Sequence, residues 1–323
     1  TSLAATGDGG YLLVGYSNAN PSRDKTLASL GGFDIWLVKV DSNGSKLWER
    51  VFGGSGDEGP PGQVTASRTA DGGYVIGAMS NSGVSGNKTT ANFGDFDYWV
   101  VRIDGTGNKQ WDRTFGGTGY DALGPVQQTS DGGFILGGTS RSDTSGNKTV
   151  ANFGDYDCWI VKLDESGSKT WEQVYGGTGF DGLNWLEQTS DGGFIVHSYS
   201  SSAVSGNRTT PGFGGNDFWI LKLDSNGFKQ WEQVFGGSGV EEAEGQRHSI
   251  QQTTEGGFIV AGFSNSGASG NKTAPNLGGN DYWVVKILDA SEAPIGTPRV
   301  TLTGQFKGAD NFTFGGSAQV TIS

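Results

Sequence analysis

The chain is poor in the residues that carry most recognisable chemistry: 323 residues hold one cysteine, one methionine, two histidines and eight prolines. One cysteine, Cys158, excludes an internal disulfide framework. The two histidines and the cysteine stand at dissimilar sequence positions, which disfavours a zinc site. No run approaches eighteen apolar residues, so no spanning helix is expected. Basic charge is scarce as well: 22 basic against 34 acidic side chains leave a net charge of -12, which repels a phosphate backbone and excludes nucleic acid as a partner. No Walker, dinucleotide or nucleophile-elbow motif follows a strand and opens a helix.

What is abundant is glycine, 58 residues, without the every-third period of collagen. Aromatics reach 11% with ten tryptophans, too many for a disordered chain, while 34% hydrophobic residues are too few for a helical one. The composition reads as all-β, and a cysteine-poor, acidic, glycine-rich chain suits a secreted bacterial protein. No signal peptide is legible and the first residues read as mid-strand, so a processed or truncated piece is expected.

Self-similarity organises the rest. Asp-Gly-Gly-aromatic, or its Glu variant, begins at Asp8, Asp71, Asp131, Asp191 and Glu255, at intervals of 63, 60, 60 and 64 residues. Asp-x-Trp shares the period at Trp36, Trp99, Trp159, Trp219 and Trp283. Two independent landmarks on one period establish five repeats. Strand-like alternation recurs four times per unit, as at Ile250–Thr253, Phe258–Ala261, Tyr282–Val285 and Trp231–Phe235. Asp-Gly-Gly joins the first two strands, and Asp41-Ser42-Asn43-Gly44 with its copies joins the last two. A four-stranded sheet cannot bury both faces alone, whereas neighbours around an axis cover one another. The expectation is a five-bladed β-propeller of four-stranded antiparallel blades over 1–289, with units at about 1–63, 64–123, 124–183, 184–247 and 248–289, and a short C-terminal β tail. The tryptophans of the third strands, and Trp48, Trp111, Trp171 and Trp231 of the fourth, read as inter-blade packing.

The segment from Asp217 to Trp231, DFWILKLDSNGFKQW, together with EGGFIVAG in the last unit, resembles the repeats of large secreted bacterial β-propeller proteins. Its Asp-x-x-Gly-x-x-x-Trp turn is similar to quinoprotein-type propeller repeats, although a residue shorter, and more loosely to the Asp-box of sialidases. The resemblance implies a propeller with surface or secreted binding and scaffolding roles; no catalytic motif travels with it. Residues 290–323 depart from the pattern: either Arg299–Thr303 supplies the missing outer strand, or the tail opens a β-sandwich, and its ending weakly resembles chitobiase-type domains. Further domains in a longer protein are therefore expected.

Two loop sets are candidates for function. The second-to-third strand loop keeps one length and repeats Asn or Asp, a base, and Thr, at Asp24, Asn87, Asn147, Asn207 and Asn271. It reads as self-packed, with Leu30, Phe93, Phe153, Phe213 or Leu277 as plug, or else as five equivalent sugar-hydroxyl sites. Four triplets match the Asn-x-Thr glycosylation sequon. The fourth-to-first strand connection varies in length and places Glu58, Asp121, Asp181 and Glu241 in register after Gly-Gly-Ser/Thr-Gly. Either each acid caps its own turn, or the acids together invite calcium; no other cofactor is expected. The same connection breaks the symmetry at Trp185, beside Asn184, and at Arg247 and His248. Trp185 reads either as core or as a stacking platform for a pyranose ring. His197 reads as a hydrogen-bonded core residue.

Some five-bladed propellers cleave polysaccharides with paired carboxylates, and Glu58, Asp121, Asp181, Glu187 and Glu241 are the acids available for that here, with nothing selecting two. Lys39, Arg102, Lys162, Lys222 and Lys286 form a cationic column inside the third strands, for which Glu49, Asp112, Glu172 and Glu232 are the expected cross-strand partners. The leading expectation is a non-catalytic, lectin-like propeller, secreted or at the cell surface, that binds glycan or cell-surface polysaccharide. A structural or adhesion scaffold binding protein is the alternative, and a polysaccharide hydrolase or lyase the third.

Overall fold

The computed structural model describes residues 2–59, 64–243, 248–288 and 301–302. Among them there is no helix, hence none long and apolar enough to cross a membrane. The first sheet comprises β1 (Ser2–Ala5), β2 (Tyr11–Ser17), β3 (Asp34–Val40) and β4 (Lys46–Phe52). The second comprises β5 (Thr65–Arg68), β6 (Tyr74–Ser80), β7 (Asp97–Ile103) and β8 (Lys109–Phe115), and the third β9 (Asp121–Gln128), β10 (Phe134–Ser140), β11 (Asp157–Leu163) and β12 (Lys169–Tyr175). In the fourth, β13 (Asp181–Gln188), β14 (Phe194–Ser200), β15 (Asp217–Leu223) and β16 (Lys229–Phe235) repeat the pattern. The fifth sheet splits its first strand into β17 (Glu241–Glu242) and β18 (Ile250–Gln252), both paired with β19 (Phe258–Ser264), followed by β20 (Asp281–Ile287) and β21 (Thr301–Leu302).

Every sheet is an antiparallel meander in chain order, so the protein is all-β, with five four-stranded blades of the β-propeller type. The turns explain the meander. Gly72 and its four equivalents hold φ between 81° and 93°, which glycine alone adopts cheaply, and in the first four turns the preceding Asp accepts the N–H two residues on. The second turn repeats this at Asp41, whose carboxylate accepts the N–H groups of Asn43 and Ser45.

Residues 1–176 and 177–323 form two compact units. In the first, Leu12, Val14, Ile35 and Leu37 of sheet one pack on Tyr74, Ile76, Trp99 and Val101 of sheet two. The opposite face of sheet two, with Val75, Tyr98 and Val100, packs on Phe134, Leu136, Trp159 and Val161 of sheet three. In the second unit Ile195, Phe218 and Ile220 of sheet four pack on Phe258, Val260, Trp283 and Val285 of sheet five. One rule generates all three cores: even and odd positions of a strand face opposite sheets, so a doubly covered strand is apolar throughout.

In the outer position of the fifth sheet, Thr301–Leu302 pairs with Val285 and Val284. The remaining tail, where a β-sandwich start was considered, lies outside the described residues.

The cationic column takes different partners from those expected. Lys39, Arg102, Lys162, Lys222 and Lys286 pair with Asp8, Asp71, Asp131, Asp191 and Glu255 of the hairpin turns. Register gives the reason: Lys39 stands opposite Trp48 and Val38 opposite Glu49, which puts cation and acid on opposite faces. Glu49, Asp112, Glu172 and Glu232 instead pair with Lys46, Lys109, Lys169 and Lys229 three residues earlier.

Candidate functional site

The repeated loop is built around its base. Lys148 Nζ, only 1% exposed, donates to the carbonyls of Ser142 and Val150 at 2.7 Å and to Asn152 Oδ1 at 2.8 Å. Lys25 and Lys272 do the same at Ala19 and Leu27, and at Ser266 and Ala274, over 2.6 to 2.8 Å. Lys88 reaches the Thr90 carbonyl, and Arg208 the Thr210 carbonyl. Burial lowers the pKa of Lys88 to about 8. A loop whose carbonyls converge inward needs a buried cation, and here the chain supplies its own. The expected plugs lie outside instead: Leu30, Phe93, Phe153, Phe213 and Leu277 are 36 to 55% exposed.

The asparagines expected to offer sugar contacts are consumed by the sheet preceding their own. Asn87, Asn147 and Asn271 accept the N–H of Gly53, Gly116 and Gly236 at 2.9, 3.0 and 2.9 Å. Their amides donate to the carbonyls of Val51, Thr114 and Val234 at 2.7 to 2.8 Å. Asn207 occupies the same half-buried place in its loop, with its carbonyl accepting from Lys229. The threonine completes the set: the N–H groups of Thr26, Thr89, Thr149 and Thr209 donate to Glu49, Asp112, Glu172 and Glu232.

The four registered acids are each fully buried. Glu58 accepts the N–H of Gly54 at 2.9 Å and the Ser80 hydroxyl at 2.8 Å. Asp121 accepts Gly117 N–H at 2.8 Å and the hydroxyls of Ser142 and Ser140. Asp181 repeats this with Gly177, Ser202 and Ser200, and Glu241 with Gly237 and Ser264. Calcium needs six to eight oxygen ligands, whereas hydrogen-bond donors surround these carboxylates, so the donor set does not fit the cation. Among the described residues no group of three or more His, Cys, Asp or Glu could hold a metal. Buried in their own turns, these acids offer no carboxylate to a polysaccharide. Glu187 is half-buried, and burial raises its pKa.

Sequence reasoning missed the partners of these acids. Asp34, Asp97 and Asp217, first residues of third strands, are fully buried beside Glu58, Asp121 and Glu241. In each the Oδ2 atom accepts a loop N–H, at 2.6 Å from Leu30 and Phe93 and 2.7 Å from Phe213, while Oδ1 has no hydrogen-bond donor. Burial first, and the neighbouring carboxylate second among the raising causes, push their pKa up to about 6, 7 and 6. Burial beside a second carboxylate favours the neutral form of these three aspartates. The sequence signal was present, since every Asp-x-Trp begins with this aspartate.

Trp185 is 7% exposed and belongs to the core between sheets four and five, so it is no open platform. A bulge between Leu183 and Trp185 sets it opposite His197 and leaves Asn184 outside the register. Its ring packs on His248 at 4.1 Å with a 41° tilt. Arg247 lies outside the described residues. His197 is fully buried, exchanges a 2.7 Å hydrogen bond between Nδ1 and Ser249 Oγ, and is held neutral by burial with a pKa of about 3.

An open groove lies elsewhere, in the first unit. Between sheets two and three a groove of about 820 Å³ is lined by Asp71, Arg102, Gln110, Trp111, Gln128 and Glu165, among others. Trp111 is half-buried, with its ring edge-on to Phe134 at 5.5 Å and the Arg113 guanidinium 5.4 Å from its centre. Arg102 Nη2 donates to both carboxylate oxygens of Asp71, at 2.6 and 2.5 Å, in the one unit that has arginine where the other four have lysine. Gln128 ties the turns together, accepting Ala70 N–H at 2.7 Å and donating to the Gly132 carbonyl at 3.1 Å.

No family model matches the chain, and neither does any curated protein. Among solved structures it is similar to a protein of unknown function from Bacteroides caccae, with 14% identity over 72% of this chain and 80% of that one, at a TM-score of 0.29. A second similar structure is BBS1N, solved in complex with ARL6DN, with 11% identity over 90% of this chain and 91% of that one, at a TM-score of 0.38. Identities this low carry no function across.

Proposed function

We propose that this chain is a non-catalytic, carbohydrate-binding module, and that its site is the groove at Trp111. The observation that carries the reading is a half-buried indole in a groove beside an arginine–carboxylate pair and two glutamines. An indole offers an apolar face for the C–H side of a pyranose, and the exposed side chains of Asp71, Gln110 and Glu165 on the same groove offer donors and acceptors for its hydroxyls. The volume, about 820 Å³, falls in the range of small-ligand sites. The groove replaces Trp185 and the loop asparagines as the sugar contact, because the fold has already used those side chains. The resemblance of the repeats to secreted bacterial propellers supports a place outside the cell, with a glycan or surface polysaccharide as partner.

The test is a glycan array followed by calorimetry on wild type, Trp111→Ala and Arg102→Lys. We expect micromolar to millimolar binding that falls about tenfold or more with Trp111→Ala, while the circular dichroism stays unchanged. Absence of any glycan binding, or equal binding by the alanine variant, overturns the reading.

A further inference from the structure

Next to the groove at Trp111 lies a second one, of about 410 Å³, within the same unit. Ala91, Phe93, Arg113, Phe115, Ser168 and Lys169 line it, among others. The two grooves are consecutive along both of their walls. On β8, Gln110 and Trp111 line the first, and Arg113, Thr114 and Phe115 the second. On the turn that leads into β12, residues 164–166 line the first and residues 167–169 the second. Between them stands one crossing, where Arg113 Nη2 donates to the Ser166 carbonyl at 2.8 Å. Arg50 makes the same bond to the Thr106 carbonyl one repeat earlier, so the crossing belongs to the fold and keeps the two grooves in line. From Gln110 to Phe115 the strand advances roughly 17 Å, several times the length of one pyranose ring.

The second groove repeats the chemistry of the first, an aromatic ring beside a few polar groups. Phe93 is 36% exposed, and its Cβ rests against Gly146 of the following loop, where an added methyl would come within 2.8 Å. Lys169 Nζ donates to the Asn147 carbonyl and to Glu172, which leaves one of its three donors for a hydroxyl, and Ser168 beside it is exposed. The first groove carries Asp71, Asp164 and Glu165, which repel a uronate or a sulfate.

We propose that the two grooves are successive subsites for one extended, neutral polysaccharide chain, which follows the seam of sheets two and three with one sugar on Trp111 and a later one against Phe93. The inference rests on the glycan reading of the groove at Trp111 and adds the length and the charge of the ligand. A β-1,4-linked chain is extended and presents apolar ring faces along its length, as a seam that follows one strand and carries an aromatic in each groove requires.

Calorimetry with cello-, xylo- and chito-oligosaccharides of about two to six units tests this. Wild-type affinity is expected to rise about tenfold or more from disaccharide to hexasaccharide in the series that binds best, because the second subsite is engaged at high effective concentration. Phe93→Ala is expected to abolish that rise. Leu30 and Leu277 occupy the same place in other repeats, so Phe93→Leu keeps the loop while removing the aromatic face, and it serves if the alanine variant loses structure by circular dichroism. Oligogalacturonates of the same lengths are expected to bind at least about tenfold more weakly than the neutral series. A disaccharide bound as tightly as the hexasaccharide, or a rise that survives both substitutions, overturns the proposal and leaves the groove at Trp111 as a single site. Oligogalacturonate binding as tight as that of the neutral series overturns the assigned charge. Silence of all three neutral series overturns the proposal as well, and the glycan array then tells whether the reading beneath it has failed with it.

Discussion

Asp97 and Asp121 stand on either side of Gly116, so close that a methyl group added to the glycine would lie 1.8 Å from one carboxylate and 2.9 Å from the other. Both are fully buried, and Asp97 is pushed up to about 7 by burial and by Asp121. A folded-state pKa above the unfolded value of 3.8 means that the contribution to stability is complete below pH 4 and is lost as the pH rises to 7. Asp34 and Asp217, at about 6, act in the same direction. Glu49, Asp112 and Glu232 act oppositely: hydrogen bonds and lysine neighbours hold them near 2, and what they contribute is lost only as the pH falls from about 4 towards 2. Urea midpoints should therefore peak between about pH 4 and 6 and decline towards 8. Asp97→Asn should remove part of that decline and raise stability at pH 8 by roughly 2 kcal/mol. A midpoint that rises from pH 5 to 8 would contradict the raised aspartates.

Gly116→Ala tests the same pair sterically. The added methyl would lie 1.8 Å from the buried Asp97 carboxylate, and an overpacking cost of about 3 kcal/mol is expected. Gly83→Ala meets nothing within 4 Å and is the control, expected within about 0.5 kcal/mol of wild type. Equal unfolding midpoints for the two variants would show that the pair has room to relax.

The loop ammonium makes a third case. Lys148→Met keeps the stem and removes the charge, leaving the carbonyls of Ser142 and Val150 without their donor. A loss of about 2 to 3 kcal/mol in chemical denaturation is expected. Proteolysis should then begin within residues 141–156. Unchanged stability would mean that another donor replaces the ammonium.

Trp185→Ala separates core from site. Because the indole is packed between sheets four and five, the substitution should cost about 3 to 4 kcal/mol while leaving the groove at Trp111 and its ligand affinity unchanged. Loss of glycan affinity with unchanged stability would return Trp185 to the role of platform.

The five sheets were legible in the sequence because each turn carries its own chemistry: an aspartate that accepts nearby N–H groups and a glycine that takes positive φ, at intervals of 60 to 64 residues. The pairing of Asp97 with Asp121 was half legible, since both aspartates recur in register but only folding brings positions 24 residues apart across one glycine. The loop asparagines misled for a related reason. Asn87 looks free to a reader of its own loop, yet the Val51 and Gly53 backbone groups it satisfies belong to the preceding repeat.

Local rules thus settled the strand pattern, the turns and the repeat number of this protein, because turn geometry and alternation depend on a few consecutive residues. Which side chains remained for a ligand was decided by the packed sheets alone. A repeated polar residue is spent or spare according to the unsatisfied backbone groups a neighbouring repeat presents to it, and that neighbour lies about 60 residues away in the chain.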